Sequence, residues 1–216
     1  MKGRRHFLKT ALATLAGVGV LLDPFFSFCR PLRAGERRII LPKGTKRESL
    51  AHKNPANLDT RNLDMTPLKE FQTMGTTDYE VNAEKWRLSV SGRVKKPLSL
   101  TYSQIQALPS IERQVLLICP GFFANHGLWK GIRVEELFEM AEAEKNLTYV
   151  TFFSQEGTYG RDQKFSIEEI LAGKVFLSYG VNGESLPRKH GFPLRVVAEG
   201  HYGNSWVKYV SEVRVE

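Results

Sequence analysis

Cysteine is scarce: Cys29 and Cys119 are the two in 216 residues, so at most one disulfide can form and a disulfide scaffold is excluded. No Cys-x-x-Cys pair occurs, which removes the common structural zinc sites. No Cys-x-x-Cys-His stands anywhere to attach a heme. The apolar run from Ala11 to Leu22 is shorter than the roughly 20 residues a membrane span needs. Internal repeats and low-complexity tracts are absent. Acid is missing from the N-terminal stretch, where 11 Lys and Arg meet only Asp23 and Glu36 through residue 47. From residue 48 on, 20 basic residues face 21 acidic ones, so the net charge of +8 belongs to the tail. A nucleic-acid binder carries its positive stripe on the folded domain. This body has none, and no nucleic-acid partner is expected.

What is present is ordinary for one globular domain: 42% hydrophobic and 25% charged residues. Arg4-Arg5-His6-Phe7-Leu8-Lys9 followed by the apolar run has the order of a secretory signal. The paired arginines with Phe7, Leu8 and Lys9 resemble the twin-arginine export signal. That implies a periplasmic or extracytoplasmic location. No Ala-x-Ala site follows, so residues 1–29 are expected as a twin-arginine signal or a membrane tether. Phe28 is bulkier than lipoprotein signals usually carry before the modified cysteine, which argues against lipidation of Cys29. Residues 30–57 are basic, contain proline and lack a period, as in a linker or an extended arm over the domain. Residues 58–216 form the body.

The body mixes strand and helix periods. Trp86, Leu88, Val90 and Val94 alternate as in a half-buried strand. Thr101 caps a short helix ending at Leu108-Pro109. Ile111 to Cys119 is a strand whose end, Val115-Leu116-Leu117-Ile118, is apolar on both faces. Val134, Leu137, Phe138 and Ala141 have helical spacing. Thr148 to Phe153 is a strand, and Ser166 with Glu169 forms a capping box. Val175 to Tyr179, Pro193 to Ala198 and Trp206 to Val215 complete the strands, with a turn at Val181-Asn182-Gly183. This order predicts an α+β domain of mixed sheets with short helices.

Cys119 ends an apolar strand and is followed by the turn formers Pro120 and Gly121. A buried small hydrophobe fits that position. So does a nucleophilic thiolate activated by His126, His190 or His201. So does a single thiolate on a soft metal whose other ligands come from a cofactor. Zinc would need further Cys or His ligands at proper spacing.

Five blocks in order narrow the choice. They are Trp86 to Val94 with Lys96-Pro97-Leu98-Ser99-Leu100; Cys119; Trp129-Lys130-Gly131; Tyr179-Gly180-Val181-Asn182-Gly183-Glu184-Ser185-Leu186-Pro187; and His190-Gly191-Phe192-Pro193-Leu194-Arg195-Val196-Val197 with Gly203 and Trp206-Val207-Lys208. Together they resemble the sulfite oxidase-type molybdopterin-binding oxidoreductases, which include periplasmic methionine sulfoxide reductase catalytic subunits. The resemblance covers residues 58–216. It implies a molybdenum-molybdopterin cofactor with one pterin per metal, Cys119 as the metal's protein ligand, and Tyr179 near the metal's exchangeable oxygen. It places His190, Arg195, Gly203, Asn204, Ser205 and Lys208 at the pterin. Arg61 and Asn62 match a Thr-Arg-Asn run near the family's substrate site, and Ser154 matches a small hydroxyl contact to the pterin. Trp129 reads as packing.

Departures from the family bear on the substrate. Sulfite oxidases carry a basic segment after the metal cysteine. Here Phe122 and Phe123 make the pocket more apolar. The chain stops at Glu216, so the C-terminal dimerisation domain of sulfite oxidases is not expected. Without a heme-attachment motif, electrons must pass to or from a redox partner such as a cytochrome or a membrane heme protein. The expected reaction is two-electron oxygen-atom transfer on a small sulfoxide-like or N-oxide-like molecule. Sulfite oxidation, a metal-free binding module of the same fold, and a cysteine hydrolase are the competing expectations.

Overall fold

The computed structural model describes residues 38–158 and 162–216. The export signal, the tether and Cys29 lie outside the described residues. In chain order the strands are β1 (Ile39–Ile40), β2 (Leu58–Asp59), β3 (Arg87–Gly92), β4 (Leu98–Thr101), β5 (Ser110–Cys119), β6 (Phe123–Arg133), β7 (Tyr149–Ser154), β8 (Gln163–Ser166), β9 (Val175–Val181), β10 (Glu184–Ser185), β11 (Arg195–Ala198) and β12 (Val210–Val215). The helices are α1 (Tyr102–Ala107), α2 (Val134–Ala141) and α3 (Ile167–Leu171). The caps expected at Thr101 and Ser166 both form, and the Thr101 cap is a capping box as well. Thr101 Oγ1 accepts from the Gln104 amide at 3.1 Å while Gln104 Oε1 accepts from the Thr101 amide at 2.8 Å. Ser166 and Glu169 make the same exchange at the start of α3. Leu108, held extended by the proline after it, ends α1.

Two sheets enclose the core, the first antiparallel throughout and the second mixed. One runs β10-β9-β6-β5, with β11 also on β9; the other runs β4-β3-β12-β7-β8. In the second, β12 is parallel to β3 and antiparallel to β7. Leu88, Val90, Ile132, Leu137, Phe152, Leu177 and Val213 are among the side chains buried between them. The doubly apolar end of β5 has a simple cause. Alternation sends Val115 and Leu117 into this main core, while Leu116 and Ile118 point the other way. There they meet Leu41, Leu50, Leu58 and Leu63 in a second cluster. Residues 38–57 are therefore packed onto the body, and the compact unit runs from Arg38 to Glu216.

Two strands differ from expectation. β6 is long but carries Gly127, Gly131, Asn125 and Lys130, so its sequence lacks the apolar alternation that marks a strand. The last strand begins at Val210 rather than Trp206. Trp206 to Lys208 first runs beside β11, where the Val196 amide donates to Val207 O at 2.8 Å. A left-handed Tyr209 (φ 57°) then turns the chain into the other sheet.

Gly131 sits at the register shift between β6 and β9. A Cβ there would be driven into the Leu177 carbonyl oxygen, which is backbone and cannot move aside cheaply. Gly131→Ala is expected to destabilise the chain by about 3 kcal/mol or more. Urea denaturation of the variant against the unaltered chain measures this.

Candidate molybdopterin site

The β5–β6 hairpin builds one wall of a cleft of about 70 Å³. Its register pairs Cys119 with Phe123 and Leu117 with Asn125. Alternation turns Leu117, Cys119, Phe123, Asn125 and Trp129 to the same side, and all five line the cleft. The Trp129 indole is fixed by donating to Val115 O at 3.1 Å. Cys119 is a free, half-buried thiol. Its sulfur lies 3.2 Å from Met74 Sδ, and no histidine among the described residues is within hydrogen-bond reach of it. Burial pushes the thiol pKa up, away from a free thiolate. A cysteine hydrolase, which needs a base or cation at its sulfur, finds no support in that arrangement.

The opposite wall comes from the C-terminal third. Arg195 is 4% exposed and lies between two indoles, 5.2 Å from the Trp129 ring and 5.5 Å from the Trp206 ring. Its Nη1 donates to His190 O at 3.0 Å and its Nη2 approaches Trp206 O at 3.5 Å. Its Nε is buried with no partner, and among the described residues no carboxylate pairs with it. Burial lowers its pKa to about 9, so it stays charged at neutral pH. The His190 ring stands edge-on to Phe71 at 5.7 Å and its Nε2 is also buried without a partner. Burial, then Arg195, Lys189 and Lys208, pull its pKa down to about 3, so it is neutral. Gly203 packs where a Cβ would press on Leu117 and Ile118 O at 3.2 and 3.3 Å. This brings its turn (Gly203–Ser205) against the end of β5, beside Cys119.

The third side is the segment Phe71 to Met74. Asn125 grips it twice, accepting from the Gln72 amide at 3.1 Å and donating to Gln72 O at 2.8 Å. Lys208 stands at the rim. Its Nζ donates to Thr76 O at 2.6 Å, Met74 O at 2.9 Å and Lys189 O at 3.1 Å. Gly191 makes room for it, since a Cβ there would meet Lys208 Cβ at 3.0 Å.

The cleft thus gathers Cys119, His190, Arg195, Gly203 and Lys208, which are far apart in sequence. Other expected residues lie elsewhere. Tyr179 does not line it: it falls at the register shift between β6 and β9, and its ring is buried in the main core. Arg61 is exposed and bound to Asp59, with Nε–Oδ2 at 2.9 Å, on a separate groove with Arg38 and Glu199. Asn62 is exposed beside it. Ser154, at the end of β7, bonds the Thr158 hydroxyl rather than reaching the cleft. Asn204 and Ser205 sit on the turn next to Gly203 without lining the cavity. Of the two phenylalanines, Phe123 lines the cleft, whereas Phe122 is 67% exposed over a neighbouring groove with Arg47, Glu48 and Glu70. Sequence reasoning missed Asn125, Phe71, Gln72, Thr73 and Met74. For Asn125 a signal existed, its two-residue spacing from Phe123 and four from Trp129. The other four belong to a segment without regular structure.

A buried donor on an uncompensated cation, beside an unpartnered histidine nitrogen, calls for an anion with several acceptor oxygens. The phosphate of a pterin meets that need, and a lone sulfur on the facing strand supplies one soft ligand. Residues 74–216 match the family model described as the oxidoreductase molybdopterin binding domain, and the chain belongs to that family. It has the sulfite oxidase-type α+β fold. An uncharacterized oxidoreductase, YuiH, of Bacillus subtilis (strain 168) is 32% identical over 124 residues, covering 57% of this chain and 61% of that protein. A nitrate reductase [NADH] of Volvox carteri is 28% identical over 159 residues, covering 60% of this chain and 18% of its own. The protein-methionine-sulfoxide reductase catalytic subunit MsrP of Gluconobacter oxydans (strain 621H) is 27% identical over 145 residues, covering 60% and 46%. The chain therefore spans less than two thirds of each of these relatives. The crystal structure of the sulfane dehydrogenase SoxCD from Paracoccus pantotrophus shares the fold, with a TM-score of 0.59, 22% identity and coverage of 63% of this chain and 39% of that one.

Arg195→Met removes the charged fork, and the variant is expected to retain pterin about 10- to 100-fold less well, the equivalent of one strong charge-assisted contact. Pterin fluorescence after release from the purified protein reads this. His190 adds a pH dependence. Its folded pKa of about 3 lies below the ordinary value, so the unfolded chain takes up the extra proton on acidification. Stability is complete above about pH 7 and falls below about pH 6.5 with a slope of up to about 1.4 kcal/mol per pH unit from this group. Buried His126, also lowered, acts in the same direction. In urea titrations of the cofactor-free chain, His190→Gln should lose less stability than the unaltered chain between pH 7 and pH 5. Equal losses would remove His190 as the cause.

Proposed function

We propose that this protein is an exported molybdenum enzyme that moves an oxygen atom, with two electrons, from a small sulfoxide-like or N-oxide-like substrate. The observation that carries the reading is that Cys119, Arg195 and His190 line one cleft, while Arg195 Nε and His190 Nε2 are buried without a partner among the described residues. Arg195 and His190 would hold the anionic and polar parts of one pterin, and Cys119 would be the protein's ligand to molybdenum. When bound, that centre supplies the two-electron redox change. The protein's part is to position it, exclude water and shape the substrate's approach.

The character of the cleft favours a neutral substrate over sulfite. Around Cys119 the wall is Leu117, Phe123 and Met74. The two cations that line the cleft, Arg195 and Lys208, would be met by the anionic part of the cofactor, which leaves neither for a second anion. A dianion beside Phe123 would lose hydration without gaining a free positive partner. The name of the Gluconobacter relative agrees with a sulfoxide. Reduction of a sulfoxide consumes two electrons and two protons and yields a thioether and water, so a donor is needed. We take this donor to be a cytochrome or a membrane heme protein outside the cytoplasm, reached through the twin-arginine-like residues 4–9, with the N-terminal segment as signal or tether.

The test starts from protein made in a molybdenum-replete host. The unaltered chain should carry molybdenum and pterin in equal amounts. It should oxidise reduced viologen with methyl p-tolyl sulfoxide and show little sulfite oxidation with ferricyanide. Cys119→Ser should lose turnover by at least about 1,000-fold while remaining folded. Sulfite oxidation faster than sulfoxide reduction would replace the substrate assignment. A chain without molybdenum would leave a binding module of the same fold.

A further inference from the structure

We propose that Gln72–Thr76 is a strap closed over Cys119, with Met74 as its plug and Lys208 as its latch. The inference rests on Cys119 being the reactive sulfur of the site. Met74 Sδ lies 3.2 Å from Cys119 Sγ, yet Met74 remains 48% exposed. The thiol is therefore shielded by one solvent-facing side chain and not by the core. The strap belongs to no helix or strand. Its apex, Gly75, has φ +77° and nothing within 4 Å of the position a Cβ would take, so its outer side is open.

The ties are few and each can be named. Asn125 holds the Gln72 backbone by both of its polar atoms and fixes the N-terminal end. The C-terminal end is fixed at Thr76, whose carbonyl accepts from Tyr209 Oη at 2.9 Å and whose hydroxyl donates to Thr158 O. Between them Thr73 Oγ1 donates to Lys189 O at 3.2 Å. The remaining hold is Lys208, which donates to Met74 O and Thr76 O from the strap and to Lys189 O from the wall beneath, with Thr73 Oγ1 at 3.4 Å. An ammonium has three hydrogens to donate. Three close carbonyls engage all of them, so an anion entering the cleft competes with the strap for the same hydrogens. Closed and open states then differ by which acceptors Lys208 serves, and an anion that binds the open state better shifts the balance towards it. Met74 leaves the Cys119 sulfur when the latch turns to the anion.

The test follows alkylation of Cys119 by a bulky maleimide in the full-length, cofactor-free chain, read at the Cys119 peptide by mass spectrometry so that Cys29 does not contribute. Methyl methanethiosulfonate, a small reagent, serves as the control for intrinsic thiol reactivity. Met74→Ala and Lys208→Gln should each speed the maleimide reaction about tenfold, with a much smaller change for the small reagent. Pyrophosphate should accelerate the maleimide reaction in the unaltered chain and have no effect in Lys208→Gln. If Met74→Ala stays within about twofold of the unaltered chain, the plug is refuted, and the same result for Lys208→Gln refutes the latch. Acceleration by pyrophosphate that persists in Lys208→Gln also overturns the exchange. These readings need no metal, so they stand apart from the molybdenum content that tests the enzyme assignment.

Discussion

Arg195 stands between the rings of Trp129 and Trp206 with its charge on no carboxylate, and an uncompensated charge in a protein interior is strongly destabilising. The surrounding structure supplies what it can. Two backbone carbonyls accept from the Nη atoms, and two indole faces offer their negative quadrupoles. Each of those groups is itself fixed. Trp129 is pinned across the hairpin to Val115 O, and Trp206 donates to His201 O at 3.3 Å. Nε is left over without a partner among the described residues, on a side chain that lines the cleft with a neutral His190. The cleft is thus half of an ion pair, and its other half has to come from a ligand.

The sulfur across the cleft depends on a different constraint, the two-sidedness of β5. Odd positions build the site wall and even positions need cover on the far side. Leu41, Leu50, Leu58 and Leu63 provide that cover. The same arm reaches the cysteine turn directly, because the Gly121 amide donates to Ala51 O at 2.9 Å. Gly121 itself is left-handed (φ 78°), a conformation that residues with a Cβ adopt at a cost. The stretch from Arg38 to Asn57 therefore helps to aim Cys119. An arm that looks like a linker by composition is part of the site's scaffold.

Much of this was legible in the sequence. The caps at Thr101 and Ser166, the helix at Val134 and the strand ending in Cys119 follow from local spacing, and local spacing decided them. The family resemblance put Cys119, His190, Arg195, Gly203 and Lys208 in one place, which no periodicity could do. What was not legible depends on distant partners. β6 lacks alternation because its glycines answer Phe71 and Leu177, residues remote in sequence. Tyr179 sits in a matching motif, yet it falls at the irregular pairing of β9 with β6, and its ring is buried in the main core. Residues 71–74 carry no pattern at all, since their place is fixed by Asn125 and Lys208 and not by their own propensity.

Lys208 and Arg195 show why the two halves of the site belong together. Burial, and after it the charge of Arg195, lower the Lys208 pKa to about 8. Two cations facing one cleft repel each other, and carbonyl dipoles answer one of them only while the strap is closed. A single anion between them would relieve the repulsion at both and release the carbonyls. Binding of that anion is then coupled to strap position by the difference in what Lys208 gains in each state, and the coupling acts equally in both directions. A strap held shut more firmly must weaken anion binding, and an anion held more firmly must loosen the strap. Access to the Cys119 sulfur and occupancy of the Arg195 side of the cleft are on this account two readings of one equilibrium.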